Sequence, residues 1–530
     1  KERKIFWQYF AKEVGHVILY VMKTKLMQIS TIKQNKGTDA VLSGLMILIS
    51  AVIFGICIMS GTGNDIWYDE VFSVKFMEYG YGEIAALTAA DVHPPVYYWY
   101  LKAFCDIGKL VVPGVSYVVL AKMASVLPFV GIWIYAFSLI RKRMGLPVAA
   151  LFLFFIGAMP QISNYVIEIR MYGLALFCIT ALFLHSYEII LENKKGHWIA
   201  FWIYGIITAY IQYYACVAVI AVYIALLVYF FVTKEKLQLR KLILCAGLSV
   251  IAYLPWIPSF ISQIRNVSSN YWIQPLTFRS IFGCIKYIFL PVASYAGVKN
   301  YILAVLMIGI FGSFYLYAIW KEKDLKVRYL LLSGIFIPVF VALTGFVASA
   351  LNRPIFVYRY LISGLGAVWL VAAYVLFKYR RELIVLLALI PFLMAGKTNM
   401  DGFVAEESKK LSNMQMTDGF LEEFPEDAVV LCNFNHVQAL AAYYLDNEVV
   451  LYGGEPESLI ARLMPNCVGM PETEQIQMLV SENEVYFFGS FNAREDLLKE
   501  WEQYGITYTE DGTYLLERYW FNVYHLKSAE

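Results

Sequence analysis

Charged residues are scarce in this 530-residue chain: they make up only 16% of it, whereas hydrophobic residues make up 60%. The mean hydropathy is +0.59. A typical soluble domain is roughly one quarter charged and about half apolar, so this composition excludes an ordinary soluble protein and indicates a membrane protein with many spans. No signal peptide is expected, because the first long apolar run begins only near Val41 and no small-residue cleavage site follows it.

Cysteine and histidine are few, and neither is spaced as a ligand set. None of the eight cysteines belongs to a CxxC pair, and most lie in apolar runs, where a free cysteine behaves as a small hydrophobic residue. Only Cys432 and Cys467 share a polar region, which leaves a disulfide between them open. The six histidines include no HxxxH pair, so no metal site is predicted and no cofactor is required, although two acids could hold a divalent cation. No nucleic-acid partner is expected.

Roughly eleven apolar runs are long enough to cross a bilayer, which takes about 17–25 helical residues. They begin near Val41, Val115, Pro147, Tyr172, His197, Tyr214, Lys241, Asn300, Tyr329, Tyr358 and Leu383. The connections alternate in charge, and the basic ones, such as "RKR" and "KEKLQLRK", are predicted to be cytoplasmic. The predicted fold is therefore a mainly α, polytopic membrane protein with a cytoplasmic N-terminus and an extracytoplasmic C-terminus.

Three parts are predicted along the chain. Residues 1–40 mix basic and apolar residues at helical spacing, which suits a helix on an anionic cytoplasmic leaflet or one packed on the underside of the protein. Residues 41–397 form the transmembrane module, with a large first outer loop at 61–114. Residues 398–530 have soluble composition and alternate strand and helix patterns, beginning with "DAVVLCNF" and "HVQALAAYYL", which predicts a small extracytoplasmic α/β domain.

Acidic residues are concentrated just after the first apolar run. In "WYDEV", Asp69 and Glu70 lie within a few residues of its end, where a solvated loop acid or a helix N-cap is the simpler explanation. Another acid follows in "DVHPP", where two prolines keep the chain extended and so position Asp91 and His93. Catalytic groups need such positioning, so these acids are candidate site residues.

Two later outer segments carry arginine. In "YVIEIRMYGLALF", Glu168 and Arg170 lie at a turn between two apolar runs, where they could form a salt bridge that closes the turn or face a cavity. In "NRPIFVYRYL", Arg353 lies just outside the tenth run and Arg359 lies about a turn into it. An arginine there can reach lipid headgroups or bind a phosphate through its paired donors.

The "DE" pair, "DVHPP" and "ExRMY", in this order on the predicted outer face, resemble integral-membrane glycosyltransferases of the GT-C superfamily. The likeness is greatest to bacterial relatives of protein O-mannosyltransferases and lipid A aminoarabinose transferases (glycosyltransferase family 39-like), and it covers about the first 400 residues. The resemblance implies a hexosyl- or pentosyltransferase that moves a sugar from a polyprenyl-phosphate donor to a hydroxyl acceptor on the outer face, with inversion. Its partners would be that donor, the acceptor and the lipid bilayer.

Carried onto this sequence, the resemblance implies that Asp69 is the general base or the carboxylate that positions the acceptor, with Glu70 beside it. The candidate substrate-binding residues are Asp91, His93, Glu168, Arg170, Tyr172, Arg353 and Arg359. Some relatives have a lysine before the two prolines, so His93 departs from the family pattern. Arginine or histidine can neutralise the leaving phosphate, and a metal is then not obligatory.

Two other classes of protein remain as alternatives. A secondary transporter or lipid flippase should carry ionisable residues near the centres of its spans and helices broken by Gly or Pro. In this chain the charges cluster at the outer ends instead, which favours an enzyme. A non-catalytic sensor with a wall-binding C-terminal domain would not need the acidic pair of "WYDEV".

Overall fold

The computed structural model describes residues 36–266, 273–351, 353–379, 382–470 and 475–528. Residues 1–35 of the predicted N-terminal amphipathic segment lie outside the described residues. The chain divides into two compact units. The first unit comprises Lys1–Met59, Val92–Tyr97 and Met123–Val404, and the second comprises Ser60–Asp91, Tyr98–Lys122 and Ala405–Glu530.

Helices dominate the described residues before the C-terminal sheet. Those up to residue 209 are α1 (Lys36–Gly61), α2 (Tyr68–Lys75), α3 (Tyr81–Ala90), α4 (Val96–Val111), α5 (Tyr117–Tyr135), α6 (Arg141–Met144), α7 (Leu146–Ala158), α8 (Ile162–Tyr165), α9 (Tyr172–Glu192) and α10 (Lys195–Ala209). Those that follow are α11 (Tyr213–Val232), α12 (Lys236–Tyr253), α13 (Ile257–Asn266), α14 (Arg279–Phe289), α15 (Val298–Lys321), α16 (Leu325–Leu351), α17 (Ile362–Lys378) and α18 (Glu382–Glu422).

Eight of the described helical segments are long and apolar enough to cross a membrane. They are Asp39–Gly61, Tyr117–Met144, Tyr172–Glu192, Tyr213–Val232, Lys236–Arg265, Val298–Lys321, Leu325–Leu351 and Tyr358–Lys378. These segments confirm a mainly α, polytopic membrane protein. They correspond to eight of the roughly eleven predicted runs.

The other three predicted runs, at Pro147, His197 and Leu383, lie in helices that are shorter or longer than a single membrane span. Helix α7 has 13 residues and α10 has 15. At about 1.5 Å per residue they are roughly 20 Å long, whereas the hydrocarbon core is about 30 Å thick. Every residue of α7 from Val148 to Ala158 is buried, and burial inside a bundle requires the same apolar composition as a span. The run predicted at Leu383 lies in α18, which extends over 41 residues.

Helix α9 is central to the first unit. It packs against α10, α11 and α17, and its side chains are buried along almost the whole length. Gly366 of α17 permits the close approach to α9, because a Cβ atom there would collide with Oγ1 of Thr180. Tyr172, the first residue of this helix, is buried in the same unit.

The second unit contains a six-stranded sheet in the order β3-β2-β1-β4-β6-β5. Its strands are β1 (Val429–Cys432), β2 (Val449–Tyr452), β3 (Cys467–Met470), β4 (Val485–Gly489), β5 (Ile506–Leu516) and β6 (Tyr519–Ser528). Its helices are α19 (Asn435–Tyr444), α20 (Ser458–Leu463), α21 (Gln475–Glu482) and α22 (Ala493–Glu502). Strands β1 to β4 pair in parallel, whereas β6 pairs antiparallel with β4 and β5. The predicted α/β domain is therefore confirmed, and β3 is a strand that the pattern did not reveal.

Cys432 and Cys467 do not form a disulfide. Both are buried free thiols, on β1 and β3 respectively. Strand β2 lies between those two strands, which separates them by about 9–10 Å. A disulfide requires Cα atoms within about 7 Å.

Candidate functional site

The turn that precedes α9 carries the first group of predicted residues. Helix α8 ends at Tyr165, and the backbone N–H of Arg170 donates to the carbonyl of Glu168 across 2.7 Å. This tight turn places Arg170 inside the first unit, where the side chain is only 8% exposed. An arginine buried at the end of a helix bundle is costly unless a partner or ligand uses its donors.

His93 is a described partner of Arg170. The Nη2 atom of Arg170 lies 3.2 Å from Nε2 of His93. Burial, and then the charges of Arg170 and Arg359, hold the pKa of His93 well below its ordinary value. The imidazole is therefore neutral near pH 7. Among the described residues, no acceptor lies within hydrogen-bonding distance of its buried Nδ1 atom.

Arg359 and three tyrosines complete this group. The Arg359 guanidinium lies 5.4 Å from the centroid of the Tyr172 ring, a distance at which a cation is attracted to the ring face. Tyr165 packs against Tyr172 at 5.4 Å between centroids, and its hydroxyl accepts a hydrogen bond of 3.0 Å from Tyr287. Burial is the main reason that the pKa of Tyr165 and that of Tyr287 lie above their ordinary values, so both remain neutral hydroxyls.

This cluster carries net positive charge. Arg170, Arg359 and Glu168 all act electrostatically on Tyr172, and two guanidinium groups outweigh one carboxylate. Guanidinium groups offer paired donors that match the oxygens of a phosphate, while neutral histidine and tyrosine add single donors. The cluster is thus chemically suited to an anion with several oxygens.

The acidic pair of "WYDEV" belongs to the second unit, on helix α2. Glu70 is the third residue of this helix, and its Oε2 accepts the backbone N–H of Trp67 at 3.1 Å. In a capping box, the side chain of the third helical residue accepts the backbone N–H of the N-cap residue, as Glu70 does here. Glu70 is only 5% exposed. Asp69 is half-buried. The two adjacent carboxylates therefore lie in different surroundings.

A buried lysine that the sequence reasoning did not single out lies close to Glu70. Lys122 donates to the carbonyl of Gly61 across 2.9 Å and also to the carbonyl of Asn64. The carboxylates of Glu70 and Glu407 are close enough to act on its charge. A charged residue inside the apolar run "YVVLAKMASVLPFV" was the available signal.

Asp65 is a second perturbed acid in this unit. Its Oδ1 accepts a hydrogen bond of 3.1 Å from the Tyr444 hydroxyl. Burial raises the pKa of Asp65 to about 6, and the charge of Asp418 adds to this effect, while the Tyr444 hydrogen bond opposes it. A carboxyl group of this kind changes charge close to physiological pH.

The structure brings together five of the predicted substrate-binding residues in the first unit: His93, Glu168, Arg170, Tyr172 and Arg359. Arg353 belongs to the same unit and is half-buried. Asp91 belongs to the second unit with Asp69 and Glu70, and its backbone N–H caps α3 by donating to Thr88. Tyr165 and Tyr287 were missed, although Tyr165 lies within the motif "YVIEIRMYGLALF".

The described residues include one group with the spacing of a metal site: Glu188, Glu192 and His197. Arg143 donates to Glu188 through Nε and Nη2, each at 2.6 Å, and also pairs with Glu192. The carboxylates of Glu188 and Glu192 are thus both paired with Arg143. These glutamates lie at the far end of the 21-residue helix α9 from Tyr172, which is roughly 30 Å long.

The fold matches solved structures of ArnT from Cupriavidus metallidurans, in the apo state and bound to undecaprenyl phosphate. Each aligns with a TM-score of 0.58 and 12% identity over 91% of this chain and 98% of the other. The Archaeoglobus fulgidus oligosaccharyltransferase complex with Zn and sulfate matches more weakly, with a TM-score of 0.41 and 11% identity over 88% of this chain and 72% of that one. No protein-family model and no curated protein matches the sequence.

ArnT is a lipid A aminoarabinose transferase of the GT-C type. Its structures align over almost their entire length with both the helical part and the C-terminal domain of this chain. The fold expected from "DE", "DVHPP" and "ExRMY" is therefore confirmed: this chain has the fold of the GT-C membrane glycosyltransferases.

Proposed function

We propose that this protein is a membrane glycosyltransferase that moves a sugar from a polyprenyl-phosphate donor to a hydroxyl acceptor. The observation that carries the proposal is the cluster of Arg170, Arg359 and neutral His93 at the start of α9. Such a cluster supplies paired and single donors for one phosphate group. Its three residues were predicted from the segments "DVHPP", "ExRMY" and "NRPIFVYRYL".

The donor phosphate would be held by Arg170 and Arg359, with the Nδ1–H of His93 as a further donor. When the bond between the anomeric carbon and the phosphate oxygen breaks, the electron pair goes to the phosphate. Fixed positive charge stabilises the negative charge that develops there. The ArnT structure with bound undecaprenyl phosphate supports a polyprenyl phosphate as the carrier.

Asp69 would act as the general base. It takes the proton from the acceptor hydroxyl while that oxygen attacks the anomeric carbon from the side opposite the phosphate, which inverts the configuration. Half-burial leaves the Asp69 carboxylate accessible to an acceptor, whereas Glu70 is committed to the helix cap. Glu70 is therefore assigned to positioning Asp69.

The reaction would take place on the extracytoplasmic face, with the N-terminus in the cytoplasm. The alternating basic connections favour this orientation. A lipid flippase is the competing function, since it would also bind a polyprenyl phosphate. The partly exposed acidic residue Asp69 favours chemistry over transport.

A deletion strain distinguishes these functions. Lipid-linked sugars and surface glycans are compared with those of the parent strain, and the leaflet of the lipid-linked sugar is determined with an impermeant oxidant. Loss of a transferase should leave the donor on the outer leaflet and remove one sugar from a surface acceptor. Donor retained on the inner leaflet would indicate a flippase, and unchanged donors and glycans would contradict both functions.

A further inference from the structure

The strand order of the parallel strands in the second unit reverses between β1 and β4. The ends of β1 and β4 are tied together by Asn433, whose Nδ2 donates to the Ser490 carbonyl across 2.9 Å. Its Oδ1 accepts the Ser490 backbone N–H at 2.8 Å. Strand β2 pairs with one edge of β1, and β4 pairs with the opposite edge. Open α/β sheets bind ligands at the point where the strand order reverses in this way.

Three partly exposed rings lie at the carboxyl edge of these parallel strands. Phe434 stacks on His436 with centroids 4.6 Å apart and an interplanar angle of 18°. Tyr519, at the start of β6, lies 5.2 Å from His436 and 5.6 Å from Phe434. We call Phe434, His436 and Tyr519 the aromatic face; each of its members is half-buried.

Hydrogen bonds fix the orientation of the histidine. The Nδ1 atom of His436 lies 2.8 Å from Oδ1 of Asn435, and Nδ2 of Asn435 donates to Glu457 across 3.2 Å. Because the amide oxygen can only accept, the proton of the imidazole is on Nδ1 and Nε2 keeps its lone pair. Burial lowers the pKa of His436, against the opposing charge of Asp69, so the ring is neutral at pH 7.

Helix α2 places the candidate base beside the aromatic face. The ring of Tyr68 lies 3.9 Å from that of His436. The Asp69 carboxylate is close enough to act through its charge on His436 and on Tyr519. All of these residues belong to the second unit.

We propose that the aromatic face binds a sugar ring of the acceptor and presents one of its hydroxyls to Asp69. A pyranose has an apolar face of C–H groups and a rim of hydroxyls. The rings of Phe434 and Tyr519 can match that face, while His436, packed between Phe434 and Tyr68, offers Nε2, and Asn435 and Glu457 offer further hydrogen-bond partners for the rim. The inference rests on the proposed function and adds to it a carbohydrate acceptor, bound by positioning residues of the C-terminal domain.

The first test is direct binding to the full-length protein in detergent. The probe is a mixture of oligosaccharides released from the cell envelope of the source organism by partial acid hydrolysis, and saturation-transfer NMR reports binding through the sugar ring protons. Wild-type protein and Asp69→Asn should both give the signal, and Phe434→Ala and His436→Ala should lose most of it. Tyr504→Ala, which removes an exposed tyrosine of the same unit, is the matched control and should behave as wild type.

His436→Phe separates stacking from hydrogen bonding, since it keeps a ring and removes Nε2. In a transfer assay, Phe434→Ala should raise the acceptor KM about 2- to 12-fold, which corresponds to the roughly 0.5–1.5 kcal/mol that an aromatic contact contributes. The KM of the lipid donor should not change. His436→Phe should raise the acceptor KM less than His436→Ala does.

Failure of this inference differs from failure of the proposed function. Three results would overturn the aromatic face while leaving the transferase intact. They are the absence of saturation transfer to sugar protons in the wild type, a signal in Phe434→Ala equal to that of the wild type, and an unchanged acceptor KM in both Phe434→Ala and His436→Ala. Transfer to a peptide with no sugar contact would also overturn it. Sugar binding that depends on Phe434, in a protein that transfers no sugar, would retain the aromatic face and reject the transferase.

Discussion

Nη2 of Arg170 donates to Nε2 of His93 across 3.2 Å, and this contact fixes the protonation state of the histidine. Arginine has no acceptor and keeps its charge, so Nε2 must hold a lone pair and the proton must lie on Nδ1. The lowered pKa of His93 agrees with this assignment. The residue that departs from the lysine of some relatives is thus a neutral donor rather than a third cation beside Arg170 and Arg359.

We expect Arg170→Ala to weaken the binding of undecaprenyl phosphate about 10- to 150-fold, since a charge-assisted contact contributes roughly 1.5–3 kcal/mol. Arg170→Lys should recover only part of the affinity, because the paired geometry is lost. Titration of both variants in detergent measures the effect. Arg279→Ala removes an exposed arginine of the same unit and is the control. Unchanged affinity in Arg170→Ala, with an unfolding temperature lowered as much as in Glu168→Ala, would show that Glu168 and Arg170 have a structural role and do not bind the phosphate.

Asp69→Asn should lower the rate of sugar transfer about a hundred- to ten-thousand-fold, because the amide keeps the size of the side chain but cannot accept the proton. Binding of undecaprenyl phosphate should be retained. The measurement is single-turnover transfer from a lipid-linked sugar, together with thermal unfolding. A variant that transfers sugar at the wild-type rate would reject Asp69 as the base.

Lys122→Met should destabilise the protein by about 3–5 kcal/mol, because it removes a cation whose charge interacts with the buried carboxylates of Glu70 and Glu407, of which Glu407 also pairs with Lys410 at 2.7 Å. Lys75→Met is the control, since its pairing with the exposed Glu78 should contribute less than about 1 kcal/mol. Denaturant unfolding in detergent compares the two. Equal effects of both substitutions would show that the buried network around Lys122 is not a source of stability.

The elevated pKa of Asp65 predicts a specific pH dependence. The folded protein binds this proton more tightly than the unfolded chain does, since its pKa of about 6 exceeds the ordinary value of 3.8. The ionised carboxylate therefore costs stability above about pH 6, and the cost disappears as the pH falls from there towards 4. Asp65→Asn should raise the unfolding temperature at pH 8 and differ little from wild type near pH 4. An effect of the same size at both pH values would refute the assignment.

The proposed orientation can be tested with single cysteines at two exposed positions, Leu237 and Met416. The basic connection that contains Leu237 should be cytoplasmic, whereas Met416 lies near the C-terminal domain. In intact cells an impermeant thiol reagent should label Met416→Cys and not Leu237→Cys, relative to the parent protein. Labelling of both from the same side would overturn the orientation.

Part of the candidate site was accessible to sequence reasoning because a charged residue is conspicuous in an apolar chain. Arg170 and Arg359 stand out for that reason, and the structure places both around His93 and Tyr172. Tyr287 gave no such signal, because tyrosine is common throughout this chain. Its place in the cluster depends on how α14 packs, which no local pattern encodes.

The sequence by itself determined the polytopic helical architecture, the α/β character of the C-terminal domain and the motifs that carry the charges, because hydropathy and spacing are local properties. Only the tertiary structure decided that the apolar run at Pro147 is a short helix buried on all sides, and that Glu70 caps α2 and is buried while Asp69 is partly exposed. It alone also placed His436, more than 360 residues away along the chain, next to Asp69. Burial, capping and contacts between distant residues follow from packing, so neighbouring sequence does not encode them.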